Sequence, residues 1–157
     1  MHFNSPAFIN GNTIPCQYTY DGDNCSPPLS WDSPPNGTVS YVLIVEDPDV
    51  SEETFTHWIV YNLPFTVKYL PEGVTSKPRM PNGGVQGKND FGELGFVGPC
   101  PPNGTHRYLF KLYALDESLF LSPGASKSEV MALMEGHILE SVELMGIYGK
   151  HKSIRFS

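Results

Sequence analysis

Fifteen glycines and fifteen prolines are spread over 157 residues, nearly one position in five. Proline lacks the amide hydrogen that a helix interior needs, and glycine loses the most backbone freedom when fixed. Such a density leaves little room for long helices and excludes a helical bundle. The glycines follow no Gly-X-Y period, so a collagen-like chain is excluded as well. What remains is a loop-rich, mainly β domain. At 17.4 kDa the chain makes one domain, 1–157, with enough residues to bury a core.

Turn signals recur through the first two thirds: Asn10-Gly11, Asp21-Gly22, Pro34-Pro35-Asn36-Gly37, Pro81-Asn82-Gly83-Gly84 and Asn103-Gly104. Short runs of branched and aromatic residues lie between them, as strands require. Val39 to Val45 reads as a buried central strand, His57 to Asn62 as a second and Tyr108 to Leu115 as a third. The pattern changes after Pro123. Ser126 and Glu129 have capping-box spacing, and Val130, Leu133, Met134 and His137 or Ile138 follow at helical intervals. This predicts a helix over about residues 127–145, interrupted at Gly136 or ended at Gly146 or Gly149, with a last edge strand in HKSIRF.

The net charge is -7 and no Lys/Arg run occurs, which speaks against nucleic acid and anionic membrane surfaces as partners. Cys16, Cys25 and Cys100 form no CxxC pair, arguing against a disulfide scaffold or zinc ribbon, though one pair could still form. The first residues lack a secretory pattern and no apolar run reaches membrane-spanning length. The expected setting is the reducing cytoplasm, with no integral membrane association.

Three segments hold side chains suited to chemistry. Glu46-Asp47-Pro48-Asp49 follows the strongest strand, so proline holds a carboxylate in place at a strand end. His57-Trp58 opens the next strand, where a returning loop would set His57 beside Asp47. Gly98-Pro99-Cys100-Pro101-Pro102 is a stiff loop leading into His106-Arg107-Tyr108. Strand alternation puts His106 and Tyr108 on one face and Arg107 on the other, where it should pair with an acid. Asp47, His57, His106 and Tyr108 together suit a small anion such as phosphate. Asp47 would orient His57 and raise its pKa, so binding should weaken as pH rises.

At these segments the sequence resembles the phosphatidylethanolamine-binding protein family, which includes the Raf kinase inhibitor proteins. The stretches that carry the resemblance are DPD at 47–49, HWIVYNLP at 57–64 and GPCPPNGTHRYLFKLYALD at 98–116. SPPLSW at 26–31 and KNDFG at 88–92 support it. The form is that of the compact bacterial and archaeal branch. The resemblance implies a β-sandwich of Greek-key type antiparallel sheets, with short helices near the C-terminus. It also implies a small cavity for phosphate, acetate or phosphoryl headgroups, built from Asp47, His57, Gly98, Pro102, His106 and Tyr108. A homodimer and a protein kinase or serine-protease partner are further implications.

The leading expectation is a regulatory or inhibitory binding module for a small phosphate- or carboxylate-bearing ligand, with no catalytic residue, metal or cofactor. The alternatives are a kinase or protease inhibitor acting through surface loops such as 66–97, a Cys100/His106 hydrolase, and a metal hydrolase using Asp47, His57 and His106.

Overall fold

The computed structural model describes residues 1–149, so the edge strand expected in HKSIRF lies outside the described residues. The strands are β1 (His2–Asn4), β2 (Leu29–Asp32), β3 (Ser40–Asp47), β4 (Phe55–Pro64), β5 (Tyr69–Leu70), β6 (Val85–Gln86), β7 (Thr105–Leu115) and β8 (Ile138–Gly149). One α-helix, α1 (Lys127–Met134), precedes β8, and a single 3-10 turn spans Cys16–Tyr18. No helix among the described residues is long and apolar enough to cross a membrane.

The strands form a three-stranded sheet, β1-β2-β5, and a five-stranded sheet, β6-β4-β3-β7-β8. Every pairing between these strands is antiparallel. The three long runs expected as strands are β3, β4 and β7. SYVLIVED is buried at all eight positions, as a strand covered on both faces must be.

Alternation along β3 divides the core. Tyr41, Leu43 and Val45 point to one face and join Leu29, Trp31 and Leu70 of the small sheet, closing a sandwich. Val42 and Ile44 point to the other face, where Val130 and Met134 of α1 cover them. Each such side chain contributes about 1.5–3 kcal/mol when fully buried, so β3 anchors both layers. Glu46 also faces the α1 side. It is buried between Lys111 and Lys127, whose ammonium groups lie 2.9 and 2.5 Å away.

The expected helix is right at its start and wrong in its length. Ser126 caps α1 and Glu129 reaches back to the cap, forming the full capping box. The helix ends at Met134, Glu135 leaves helical geometry, and Gly136 takes a positive φ of 84°. Residues 138–149 form β8, paired with β7 from Leu115↔Ile138 to Thr105↔Gly149. Helical spacing at 130–138 is a local signal, and the long pairing with β7 overrides it beyond Gly136. Among the described residues, the helical content near the C-terminus is thus one short helix.

Candidate functional site

The site lies where β3 ends and β4 and β7 begin. Asp47 is the last residue of β3 and is buried. Its Oδ1 accepts the amide of Asp49 at 2.7 Å, closing a tight turn around Pro48. Its Oδ2 accepts a hydrogen bond from His106 Nδ1, also at 2.7 Å. Asp49 faces outward and grips the next residue of β7. It accepts the Arg107 amide at 2.8 Å and the guanidinium Nε and Nη2 at 3.0 and 2.8 Å. The guanidinium beside Asp49 holds that carboxyl well below its ordinary range, at about 2. Arg107 therefore pairs with an acid on the outer side, as alternation requires.

Regular alternation alone would not bring His57 to this cluster. The β3–β4 register runs Ile44↔Ile59 and Val45↔Trp58, then jumps to Glu46↔Thr56. His57 is the extra residue of a β-bulge. In an unbroken ladder it would stand opposite Glu46, on the face that α1 covers. The bulge re-aims its ring toward the Asp47 side, as bulges do beside functional sites. There it meets Tyr108 edge-on, with ring centroids 5.5 Å apart.

The orienting partner of His57 differs from the expected one. Its Nδ1 donates to the carbonyl of Val97 at 2.6 Å, while Asp47 orients His106. The expected rise in the pKa of His57 is overturned as well. Burial pushes it below the ordinary histidine value, outweighing the Val97 carbonyl and the nearby charges of Asp47 and Asp90. Burial favours the neutral ring, and the bond to Val97 places its proton on Nδ1. Nε2 is then an acceptor, and no described residue bonds to it. Tyr108 is pushed above the ordinary tyrosine range by burial, then by the charge and hydrogen bonding of Asp47.

These groups surround a cavity of about 140 Å³. Asp47, His57 and Tyr108 supply its polar wall, Phe55 and Phe91 an aromatic wall, and Val50, Cys100 and Pro102 its remaining lining. His106 stands behind Asp47, with its ring stacked on Tyr108 at a centroid distance of 6.4 Å. Gly98 serves the site from outside. Its amide donates to Asn24 Oδ1 at 2.7 Å, and a Cβ there would meet the Tyr18 carbonyl oxygen at 2.4 Å. It packs the loop against residues 18–24, and Pro102 reaches the cavity. A larger hollow of about 270 Å³ lies over Lys111, Tyr113 and Glu143, but Lys111 is already paired to Glu46 there. The smaller cavity is the one that gathers buried ionisable groups.

Phe55 and Phe91 were not singled out in the sequence. Phe91 lies within KNDFG, where Asn89 Oδ1 accepts the amides of Phe91 and Glu93. Asp90 Oδ2 accepts the Thr56 amide at 2.7 Å and so ties this loop to the start of β4. The two phenyl rings then meet at 4.7 Å beside His57. An asparagine and an aspartate immediately before an aromatic were the available signal.

The family model for phosphatidylethanolamine-binding protein matches residues 4–149. The chain belongs to the phosphatidylethanolamine-binding protein family. Its relatives in this family include a UPF0098 protein of Methanothermobacter thermautotrophicus, 50% identical over 148 residues, covering 94% of this chain and 98% of the relative. A UPF0098 protein of Aquifex aeolicus is 47% identical over 151 residues, covering 94% and 88%. A crystal structure of a phosphatidylethanolamine-binding protein homolog from Chlamydia trachomatis superposes with a TM-score of 0.87 at 44% identity, covering 95% and 97%. The crystal structure of Escherichia coli YbcL, a member of the same family, gives 0.89 at 32% identity, covering 96% and 98%.

Asp47, His57 and His106, the ligands of the alternative metal-hydrolase reading, are not a group with ligand spacing among the described residues. Among the described residues, the cluster whose ligand atoms lie within 4.8 Å of one another is Asp116, Glu117 and His137, after β7 and before β8. There His137 Nδ1 bonds Asp116 at 2.8 Å, which is the geometry of a histidine–carboxylate pair.

Proposed function

We propose that this protein is a binding module, without turnover, for a small phosphoryl or carboxylate group seated in the cavity at the end of β3. The observation that carries this reading is the convergence of His57, Tyr108 and the His106-backed Asp47 on one small cavity. Three strands, a bulge and two pinned loops place them there. A volume of about 140 Å³ suits a headgroup. It falls below the roughly 300 Å³ where pockets for drug-sized ligands begin. A larger ligand would leave its remainder outside, along the rim at Phe91 and Pro102.

Charge decides the pH dependence. Asp47 repels an anion, and neutral His57 offers an acceptor. An entering phosphate must therefore place a proton on His57 or bring one on a P–OH group. Binding is coupled to proton uptake, and affinity falls as pH rises. Calorimetric titration with inorganic phosphate at about pH 5.5 and about pH 8 tests this. The expected result is tighter binding at the lower pH, with most affinity lost in His57→Ala and about tenfold lost in Tyr108→Phe. Equal affinity at both pH values, or undiminished binding by His57→Ala, overturns the reading.

A further inference from the structure

We propose that Asn103–Gly104 is a self-modification site. Its asparagine deamidates through attack by the Gly104 nitrogen, and the aspartate or isoaspartate that results weakens anion binding in the cavity beside it. The effect on binding rests on the reading above; the modification itself does not.

Asparagine is chemically labile, and most so before glycine, which puts no side chain in the way of ring closure. The chain contains four Asn-Gly pairs, at Asn10, Asn36, Asn82 and Asn103. Each glycine has a positive φ, so backbone class does not separate them. Hydrogen bonding does. The reaction needs a glycine amide that can lose its proton and a carboxamide free to swing over it. At Asn10–Gly11 the Gly11 amide donates to the Met145 carbonyl at 2.7 Å, and Asn10 Oδ1 accepts the Met145 amide at 2.7 Å. At Asn82–Gly83 the Gly83 amide donates to the Met80 carbonyl at 3.0 Å, and Asn82 Oδ1 accepts the Gly84 amide at 2.9 Å. Asn36–Gly37 lies inside a turn that Thr38 closes, donating from its amide and its hydroxyl to the Pro35 carbonyl. Asn103 and Gly104 are exposed, and among the described residues neither the carboxamide nor the Gly104 amide has a partner. A Cβ on Gly104 would meet no described atom within 4 Å, so the pair has room to close the ring.

The surroundings couple the change to the cavity. Pro102, the preceding residue, lines it. Upstream, Asn24 holds the Gly98 amide and the Tyr20 amide holds the Pro99 carbonyl. Downstream, Asp47 and Asp49 hold His106 and Arg107. Isoaspartate lengthens the backbone by one methylene between these fixed ends, so Pro102 must shift. Either product also adds a carboxylate one residue from the rim, inside the Debye length of about 8 Å at physiological salt. No Lys or Arg lines the cavity to offset it.

The step balances with water as its co-reactant. The Gly104 amide loses its proton to solvent, and its nitrogen attacks Cγ of Asn103. A C–N bond forms, the bond to the carboxamide nitrogen breaks, and ammonia leaves with a proton. Water then opens the succinimide. Cleavage at the side-chain carbonyl gives aspartate, and cleavage at the main-chain carbonyl gives isoaspartate. Nothing is oxidised or reduced.

The test ages the folded protein at mildly alkaline pH and maps its peptides by fragmentation that distinguishes aspartate from isoaspartate. Asn103 is expected to react first, with Asn10 and Asn82 last. In urea the four pairs should react at similar rates. Another pair reacting first in the folded protein, or an equal lead for Asn103 in urea, overturns the proposal. Phosphate titration reads the consequence. Asn103→Asp should bind about twofold more weakly at low salt, with the difference shrinking as salt is added. The aged protein should lose more, through the added methylene. Asn103→Gln, which closes a larger ring only slowly, should keep its affinity over the same time. Unchanged affinity in protein mapped as isoaspartate at 103 overturns the coupling. Failure of the unaged protein to bind phosphate sinks the binding reading, while the peptide maps still decide the modification.

Discussion

Asp47 and His106, 59 residues apart in the chain, are joined by a 2.7 Å hydrogen bond from Nδ1 to a buried carboxylate oxygen. This bond ties the end of β3 to the start of β7. Both carboxylate oxygens are in use, since the other accepts the Asp49 amide. The pair is therefore part of the scaffold as well as the rear wall of the cavity.

Replacing Asp47 with alanine removes both acceptor oxygens and leaves the Asp49 amide and the His106 ring without their partner. Asp47→Ala should destabilise the fold by about 1–3 kcal/mol, the cost of leaving buried groups unsatisfied. Urea denaturation measures it. A variant as stable as the parent would show that the turn relaxes without cost.

His57 has a pKa below the ordinary value of 6.5 because it is buried. The unfolded chain then binds a proton that the folded chain refuses. Its contribution to stability is fully present above about pH 6.5 and is lost as pH falls through the lower folded value. Melting temperatures of the parent and His57→Gln, measured from neutral to acidic pH, should converge toward the acid end. A constant gap would show that His57 does not titrate in this way.

Glu46 tests the opposite face of the same strand. Burial alone would raise its pKa, but hydrogen bonds and charge from Lys127 and Lys111 hold it below the ordinary glutamate value. Glu46→Ala should cost about 1–3 kcal/mol, less than for a fully buried pair because the lysines can rehydrate. Phosphate affinity, measured alongside, should stay within about twofold, because this carboxylate faces away from the cavity.

Gly98 provides a steric test. A methyl group there would meet the backbone of Tyr18 and Thr19, at 2.4 Å from an oxygen and 2.9 Å from a Cα. Neither neighbour is the end of a flexible side chain. Gly98→Ala should destabilise by about 1–3 kcal/mol and displace the 98–102 loop, weakening phosphate binding. Thermal melting and calorimetry check the two effects separately.

Three of the eight strands were legible because β3, β4 and β7 are dense in branched and aromatic residues, and that density survives any change of register. The facing of His106, Arg107 and Tyr108 was legible for a similar reason, since β7 keeps strict alternation. The continuation beyond Gly136 was not. Glu140, Glu143 and Met145 suit a helix, and only the long pairing with β7 makes their segment a strand. The partner of Asp47 was also hidden. Nearness in sequence favours His57, but the bulge turns that ring toward Val97, and the turn at Pro48 presents the carboxylate to a strand 59 residues away. A bulge is a mismatch in count between two strands, so neither strand reveals it when read alone.

The paired grip of Asp47 and Asp49 on β7 also bears on motion. Strand ends ordinarily fray, opening many times for each global unfolding event. Here one carboxylate holds His106 on the inner face and the other holds Arg107 on the outer face. The strand end beside the cavity is braced from both sides, so amide exchange at residues 105–108 should follow the slow clock of the sheet centre. A ligand would then meet a wall already rigid before it arrives, and little ordering would remain to be done on binding.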